Sequence, residues 1–426
     1  MATPAPHYGW FGDDFTGATD TLATLAERGF KALLFLRLPT PEQLAAAGPL
    51  DAVGIAGATR SMAPAEMTPV LDAAGCFFAG LGVRLMHYKC CSTFDSAPHV
   101  GSIGAAVAAL KPHFPNPLVP VLGGQPNLGR YCLFGQLFAA AGTGGEVHRI
   151  DRHPTMSRHP VTPMAESDLR RHLAEQGLDR MGLVDYRALE GQGGAAALEK
   201  ARAGEAQAVL FDVSRAEDLT AIAEVLREPL AAGPMLAVGA SSVAQMAAEL
   251  RPAQAVAAPS LASLRWDGPV LALVGSLSPV TRAQVENAAG FSRLIIDPAR
   301  LLGESGHAEE LRQQALTLLA AGDTMLMTTP PDGEPLAPRA VAEATGRLLR
   351  AIMQEGRVAR LLVAGGDTST LAIEALDIWG LSYRAPMVTG APLCRAHSAA
   401  SHLDGLDIVL KGGQMGPPDF FTVAAR

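Results

Sequence analysis

From residue 361 to 376 the sequence reads Leu361-Leu362-Val363-Ala364-Gly365-Gly366-Asp367-Thr368-Ser369-Thr370-Leu371-Ala372-Ile373-Glu374-Ala375-Leu376, an apolar run of strand length that stops at two glycines and then takes up helical spacing. Strand, tight turn and helix start, in that order, are the unit of an α/β layer. The first N–H groups of such a helix lack intrahelical partners, and the peptide dipoles place partial positive charge at the same spot. Gly365 and Gly366 have no Cβ to hold an anion off the backbone, so the turn is a candidate phosphate seat. The same residues also suit a plain turn in which Asp367 or Thr368 caps the helix, and one junction alone does not separate the two readings.

Two further junctions of this kind flank it. Asp407-Ile408-Val409-Leu410-Lys411-Gly412-Gly413-Gln414-Met415-Gly416 is an apolar strand with a lysine at its tip and glycines beyond. Val270-Leu271-Ala272-Leu273-Val274 leads into Gly275-Ser276-Leu277-Ser278-Pro279-Val280-Thr281, with Pro279 placed where a helix can start. In an open parallel sheet the carboxyl ends of the strands share one edge, where ligands bind. Three glycine, hydroxyl and lysine tips within one domain-sized segment point to a polyphosphate.

At 426 residues the chain is long enough for two domains, and its apolar share of 48% is that of a globular protein. A net charge of −8 argues against a general nucleic-acid binder. The segment Met1-Ala2-Thr3-Pro4-Ala5-Pro6-His7 has neither a basic nor an apolar leader region, and no apolar run approaches a membrane span, so a cytoplasmic protein without membrane partners is expected. Its five cysteines, Cys76, Cys90, Cys91, Cys132 and Cys394, are scattered and odd in number. That suits a reducing compartment and ordinary buried thiols; adjacent Cys90-Cys91 is no zinc motif.

In the first half, Tyr8 to Gly12 reads as a strand delivering Asp13 and Asp14 to its tip, with a helix behind them that ends near Gly29. Two adjacent acids there could hold a metal, accept bonds from substrate hydroxyls or remove a proton; the plainer reading is one helix cap and one solvated acid. The strand at 51–56 ends in Thr59-Arg60-Ser61, and the arginine fork suits a carboxylate, though a surface salt bridge would use it equally. The strand from Arg84 opens into a loop with Lys89, Ser92, Thr93 and Asp95, a point cation and groups able to read hydroxyls, and then an Ala-rich helix through Leu110. A strand at 117–122 ends in Gly123-Gly124-Gln125-Pro126-Asn127-Leu128-Gly129-Arg130. Prolines between Val147 and Met164 argue against regular structure there, and His153 and His159 lack the partners of a metal site. Further on, one helix is expected through about Ala203, and another stopping near Arg227 ahead of Pro229. Arg251 to Pro269 reads as a linker, followed by strands at 270–274, 293–297 and 324–328 and helices at 281–290, 308–320 and 338–355.

Together, Asp13-Asp14-Phe15-Thr16-Gly17-Ala18, Thr59-Arg60-Ser61, Cys91-Ser92-Thr93-Phe94-Asp95-Ser96, His159-Pro160-Val161-Thr162-Pro163-Met164, Gly275-Ser276 with Ser278, Thr281 and Gln284, Gly365-Gly366-Asp367-Thr368 and Lys411-Gly412-Gly413 resemble the four-carbon acid sugar kinases. The motifs run in the right order over nearly the whole chain. The resemblance implies two α/β domains with mainly parallel sheets flanked by helices: an acid-sugar domain over 1–255, a nucleotide domain over 268–426, and an active site in the interdomain cleft. It implies ATP and Mg²⁺ as cofactors, a small sugar acid as the other substrate, and phosphoryl transfer to one of its hydroxyls. Ser276, Ser278, Gly365, Gly366, Asp367, Thr368, Gly412 and Gly413 would hold ATP. Asp13, Asp14, Arg60, Lys89, Ser92 and Asp95 would hold the acid, with Arg60 or Lys89 on its carboxylate and Asp14 or Asp367 as the base. No residue is assigned to a metal, and a homodimer is left open.

The Ser92-Thr93-Phe94-Asp95 form looks closest to kinases of 3-oxo-tetronates; erythronate and threonate kinases are the neighbouring branches. Gly123-Gly124-Gln125-Pro126-Asn127-Leu128-Gly129-Arg130 departs from the Pro-Ala-Phe-Pro-type segment usual before Gly-Arg, which leaves room for a branched keto acid. A non-catalytic sensor of nucleotide or sugar acid would show the same motifs. A nicotinamide oxidoreductase would need a Gly-x-Gly-x-x-Gly turn that the chain lacks.

Overall fold

The computed structural model describes residues 6–142, 144–251, 261, 264, 266–276, 278–329 and 336–426, with the side chains of 338 and 366–369 left aside. The chain divides into two compact units, 1–256 and 257–426. Most of the stretch read as a linker lies outside the described residues.

The first unit begins β1 (Tyr8–Gly12), α1 (Phe15–Glu27), β2 (Ala32–Phe35), α2 (Pro41–Ala47), β3 (Ala52–Ala56), α3 (Pro64–Leu81), β4 (Leu85–Lys89) and α4 (Ile103–Leu110). It continues with β5 (Val119–Gly123), β6 (Arg130–Leu133), β7 (Gln136–Ala140), β8 (Val147–Arg149), α5 (Leu169–Ala174), β9 (Met181–Val184), α6 (Tyr186–Glu190), α7 (Gly194–Ala203), β10 (Ala208–Asp212), α8 (Ala216–Ala232), β11 (Met235–Gly239) and α9 (Ser242–Glu249). Eight of these strands form one wholly parallel sheet in the order β2-β3-β1-β4-β11-β5-β10-β9. The central strands β1, β3, β4, β5, β10 and β11 are buried along their whole length, as a parallel sheet covered on both faces requires. From β1 the chain winds out to β2 and back to β3, then crosses to β4 on the other side of β1. The β1/β4 boundary is therefore the switch point where such sheets open a crevice.

The second unit holds β12 (Val270–Val274), α10 (Pro279–Glu286), β13 (Ser292–Ile296), α11 (Pro298–Gly303), α12 (His307–Ala321), β14 (Thr324–Thr328), α13 (Pro338–Glu355), β15 (Arg360–Ala364), α14 (Gly366–Glu374), β16 (Ile378–Val388), β17 (Ala391–Ser398), β18 (Asp407–Lys411) and α15 (Phe420–Ala424). Its strands run in the order β13-β14-β12-β15-β18-β17-β16, the first five parallel and the last two an antiparallel hairpin. The winding repeats that of the first unit: β12, out to β13, back to β14, across to β15. Its switch point lies at β12/β15.

Several local expectations are corrected. Helix α8 runs through Pro229 to Ala232, because the Arg84 guanidinium donates to the carbonyls of Leu230 and Ala231 at 2.7 and 3.0 Å and so caps the last turn. The single helix expected before Ala203 is two, α6 and α7, separated at Gly191 to Gly193. Helix α10 begins at Pro279 and ends at Glu286, earlier at both ends than 281–290. The proline-rich stretch opens with β8, which joins β6 and β7 in a small antiparallel sheet, before its irregular part. Cys76 is exposed rather than buried, and Cys91 is half-buried. Among the described residues no helix is long and apolar enough to cross a membrane.

Candidate active site

At the first switch point β1 ends at Gly12, and Asp13 and Asp14 follow at once. Asp14 caps α1 by accepting from the Gly17 N–H at 2.8 Å. A Cβ on Gly17 would stand 2.5 Å from Asp14 Oδ1 and 2.5 Å from Lys89 Nζ, so glycine is what lets the carboxylate and the ammonium share that corner. Arg60, in the 3-10 turn after β3, grips Asp13 with two parallel bonds, Nε–Oδ2 3.2 Å and Nη2–Oδ1 3.0 Å, and reaches Asp14 Oδ2 with Nη1 at 3.1 Å. Burial pushes the Asp13 carboxyl above its usual range; Arg60 and Lys89 pull against it, and the Asp14 charge adds to the rise. Burial also works to lower Arg60, but Asp13 and Asp14 outweigh it and keep the guanidinium protonated.

Lys89 is the last residue of β4, and its buried ammonium donates to the Cys90 carbonyl at 2.8 Å. In the loop beyond, the Cys91 thiol lies 3.0 Å from Thr93 Oγ1, and the Thr93 hydroxyl donates to Asp95. Phe94 between them is buried with φ at 55°, a left-handed conformation that costs a non-glycine residue and is held here by surrounding structure. Its carbonyl accepts from Ser96 Oγ at 2.9 Å, and the His172 ring stands 3.0 Å away. Burial works against the Asp95 charge, yet Arg60 and the bonds from Thr93 and Cys91 carry the carboxyl below its usual range. His159 adds to that pull. Ser92 is buried in the loop. The first unit thus brings Asp13, Asp14, Arg60, Lys89, Ser92 and Asp95 to the β3, β1 and β4 ends of one sheet edge.

Other groups at this edge were not singled out from the sequence. Gln125, fully buried after β5, donates from Nε2 to Asp20 at 3.0 Å and accepts the Ser241 N–H at 3.2 Å; Ser241 Oγ meets Thr21 Oγ1 at 3.0 Å. Arg130 lies buried at the start of β6. Among the described residues, Thr16 Oγ1 at the start of α1, Ser242 Oγ at the start of α9 and Arg130 Nε are buried without a partner. A native interior pairs nearly all such atoms, so three orphans along one edge fit a polar ligand. The glycine-rich loop before Arg130 was the only sequence signal for this group.

At the second switch point the ligand-ready groups are mostly main chain. Gly275 and Ser276 donate their N–H groups to the Ala364 carbonyl at 3.0 and 3.2 Å, and Gly365 donates to the Lys411 carbonyl at 2.9 Å, so the β12, β15 and β18 tips are tied side by side. A Cβ on Gly413 would meet Ser276 Oγ at 2.5 Å, a gap that only glycine leaves open. Among the described residues the buried Ser278 Oγ has no partner, and the Ser278 N–H donates to Ser276 Oγ at 3.2 Å. The Gly413 carbonyl accepts from Thr281 Oγ1 at 2.6 Å, and Gln284 Nε2 donates to the carbonyls of Met415, Gly416 and Pro417 at 2.9, 3.0 and 3.0 Å. Lys411 is fully buried beneath this turn, donating to Thr281 Oγ1, the Gly412 carbonyl and the Met415 carbonyl at 3.2, 2.9 and 3.2 Å. Burial draws its ammonium down to about 7. Gly366 opens α14, as the sequence suggests, whereas the side chains of Asp367 and Thr368 lie outside the described residues.

Orphaned Ser278 Oγ and the close approach of the Gly413 backbone to Ser276 suit a phosphate seat in the second unit. The one three-ligand group among the described residues is exposed Asp72 and Cys76 on α3 with half-buried His113 in the turn after α4. Its sulfur and nitrogen donors are not those that Mg²⁺ prefers.

Known proteins match over this same span. Residues 8–247 match the model of a sugar-binding N-terminal domain, and residues 271–421 that of a nucleotide-binding C-terminal domain. The chain is 38% identical to the 3-oxo-isoapionate kinase of Paraburkholderia graminis, covering 97% of this chain and 92% of that protein. It is 30% identical to the 3-oxo-tetronate kinase of Cupriavidus necator, over 99% and 97% of the two chains. A solved Salmonella typhimurium structure, described as a putative tRNA synthase, superposes with a TM-score of 0.76 at 27% identity and 98% coverage of both chains.

Proposed function

Since the chain belongs to the four-carbon acid sugar kinase family and is a carbohydrate kinase acting on a sugar acid, we propose that it transfers the γ-phosphoryl of ATP to a hydroxyl of a small 3-oxo acid, either a 3-oxo-tetronate or a branched relative such as 3-oxo-isoapionate. The branched acid takes precedence because the relative with that activity shares 38% of its residues and the 3-oxo-tetronate kinase 30%. One observation carries the reading: a single chain holds a sheet edge lined with buried acids and cations and a second edge built of glycine turns with an orphaned hydroxyl.

In this reading the first unit, about 1–255, binds the acid and the second, about 268–426, binds ATP. Gly365, Gly366, Gly412 and Gly413 offer backbone to the phosphates, with Ser276 and Ser278 as hydroxyl donors and Asp367 and Thr368 at the start of α14. Lys411 and Gln284 act one step back, locking the carbonyls of the Gly412–Pro417 turn so that its N–H groups keep their aim. Mg²⁺ would arrive on the nucleotide phosphates and neutralise their charge, and no residue of the chain is assigned to it.

Asp14 is the proposed general base, with Asp367 as the alternative. Its carboxylate is held from both sides by the Gly17 N–H and Arg60, which fixes its direction. Asp13, Ser92 and Asp95 are acceptors or donors for substrate hydroxyls, and Lys89 supplies positive charge nearby. A cytosolic location follows from this reading through its need for ATP. An ADP-release assay over C4 and branched C5 sugar acids and their 3-oxo forms tests it. One or more 3-oxo acids should drive ADP release above the acid-free rate; release indifferent to every acid would refute the proposal.

A further inference from the structure

A sugar acid carries a carboxylate that must meet a cation inside the first unit. Arg60 is already engaged there: its Nε and Nη2, the edge that suits a carboxylate, are both bonded to Asp13. Lys89 directs its ammonium to the Cys90 carbonyl. Arg130 differs from both. Its side chain is 9% exposed, Nη1 donates to the Leu128 carbonyl, and Nε is buried with no acceptor among the described residues. That leaves the Nε–Nη2 edge, which takes a carboxylate with two parallel bonds.

The position is also built rigidly. Arg130 and Gln125 exchange backbone bonds, 2.9 Å from Gln125 N to Arg130 O and 3.2 Å in return, closing the 125–130 loop. Gln125 is itself pinned through its amide to Asp20 and Ser241. Burial works against the charge of the guanidinium, and the acids that support it include Asp95 and Asp20 of the same sheet edge. An arginine that is buried, held still and left with an unfilled bidentate edge loses free energy until an anion arrives.

On the reading that this unit binds a sugar acid, we infer that Arg130 is the residue that takes the substrate carboxylate, and that it sets the preference for acids over neutral sugars. Arg60 then serves as the positioning residue that holds Asp13 and Asp14. Arg130→Met keeps similar volume and removes the charge; Arg130→Lys keeps the charge and removes the fork. Calorimetric binding of 3-oxo-tetronate, of 3-oxo-isoapionate and of the neutral ketoses of matching skeleton separates the cases. Arg130→Met should weaken acid binding by about 100-fold, leave ketose and ADP binding unchanged, and unfold in the ligand-free state at or above the wild-type temperature. Arg130→Lys should recover part of the loss. Acid affinity of Arg130→Met within threefold of wild type overturns the inference, as does a parallel loss for acids and ketoses, a lower unfolding temperature, or a wild type that binds no acid. Should wild type bind the acids in an Arg130-dependent way yet release no ADP, the kinase proposal fails while Arg130 keeps its role.

Discussion

The carboxyl edges of the two sheets share a winding and differ in what faces the switch point. In the first unit the β1/β4 boundary is furnished with side chains: buried Asp13, Asp14, Lys89 and Asp95, and half-buried Arg60, which is bonded to both Asp13 and Asp14. In the second the β12/β15 boundary is furnished with glycine backbone, and a buried cation beside it, Lys411, is turned inward to brace the turn. A small acid with several stereocentres is recognised by directional side chains, whereas a polyphosphate is recognised by N–H groups that need only closeness. In the proposed reading one topology serves two chemistries, with Asp13 after β1 in the first unit and Gly275 and Gly365 after β12 and β15 in the second.

The comparison breaks most visibly at the proposed base. Asp14→Asn should lower kcat by about 10²- to 10⁴-fold while leaving KM for ATP within twofold, measured by coupled ADP release. Near-normal turnover would move the base to Asp367. A matched pair of glycine substitutions sharpens the contrast. Gly17→Ala places a methyl 2.5 Å from Asp14 Oδ1 and Lys89 Nζ, and Gly413→Ala places one 2.5 Å from Ser276 Oγ. All three atoms are side-chain ends that can give way, so the fold survives and the ligand groups move. The first should raise KM for the acid about tenfold and the second KM for ATP about tenfold, each sparing the other substrate. Equal effects on both substrates in either variant would contradict the division.

The smallest effect belongs to Lys411. In the unfolded chain a lysine keeps its proton to near pH 10, whereas burial brings the folded group to about 7. Between those values the unfolded state binds more protons, so stability should rise with pH, at most by about 1.4 kcal/mol per unit. Urea unfolding between pH 6 and 9 should show that rise in wild type and lose it in Lys411→Met. A slope that persists in the variant would assign it elsewhere.

Much of this was legible because glycine and polar residues punctuate a parallel sheet at the ends where ligands bind. The Gly275, Gly365 and Gly412 turns and the Asp13-Asp14 tip could be placed on strands and helices directly. The β16–β17 hairpin was not anticipated: its pairing shifts register three times, which blurs the two-residue alternation that marks a strand. The strands β6, β7 and β8, at four, five and three residues, are too short to show a period. From the sequence Pro229 reads as a stop, because the bond from Arg84 comes from a residue 146 positions away. The sequence offers Arg60 or Lys89 for the substrate carboxylate; that Asp13 fills the Arg60 fork, and that Arg130 Nε has no partner among the described residues, are facts of packing that spacing does not carry.

Mass spectrometry of the protein incubated with ATP, Mg²⁺ and 3-oxo-isoapionate or 3-oxo-tetronate tests the account most directly. A sugar acid heavier by one phosphate, formed one for one with ADP, is the predicted result. ADP formed without a phosphorylated acid, or neither product with any small sugar acid, would contradict it.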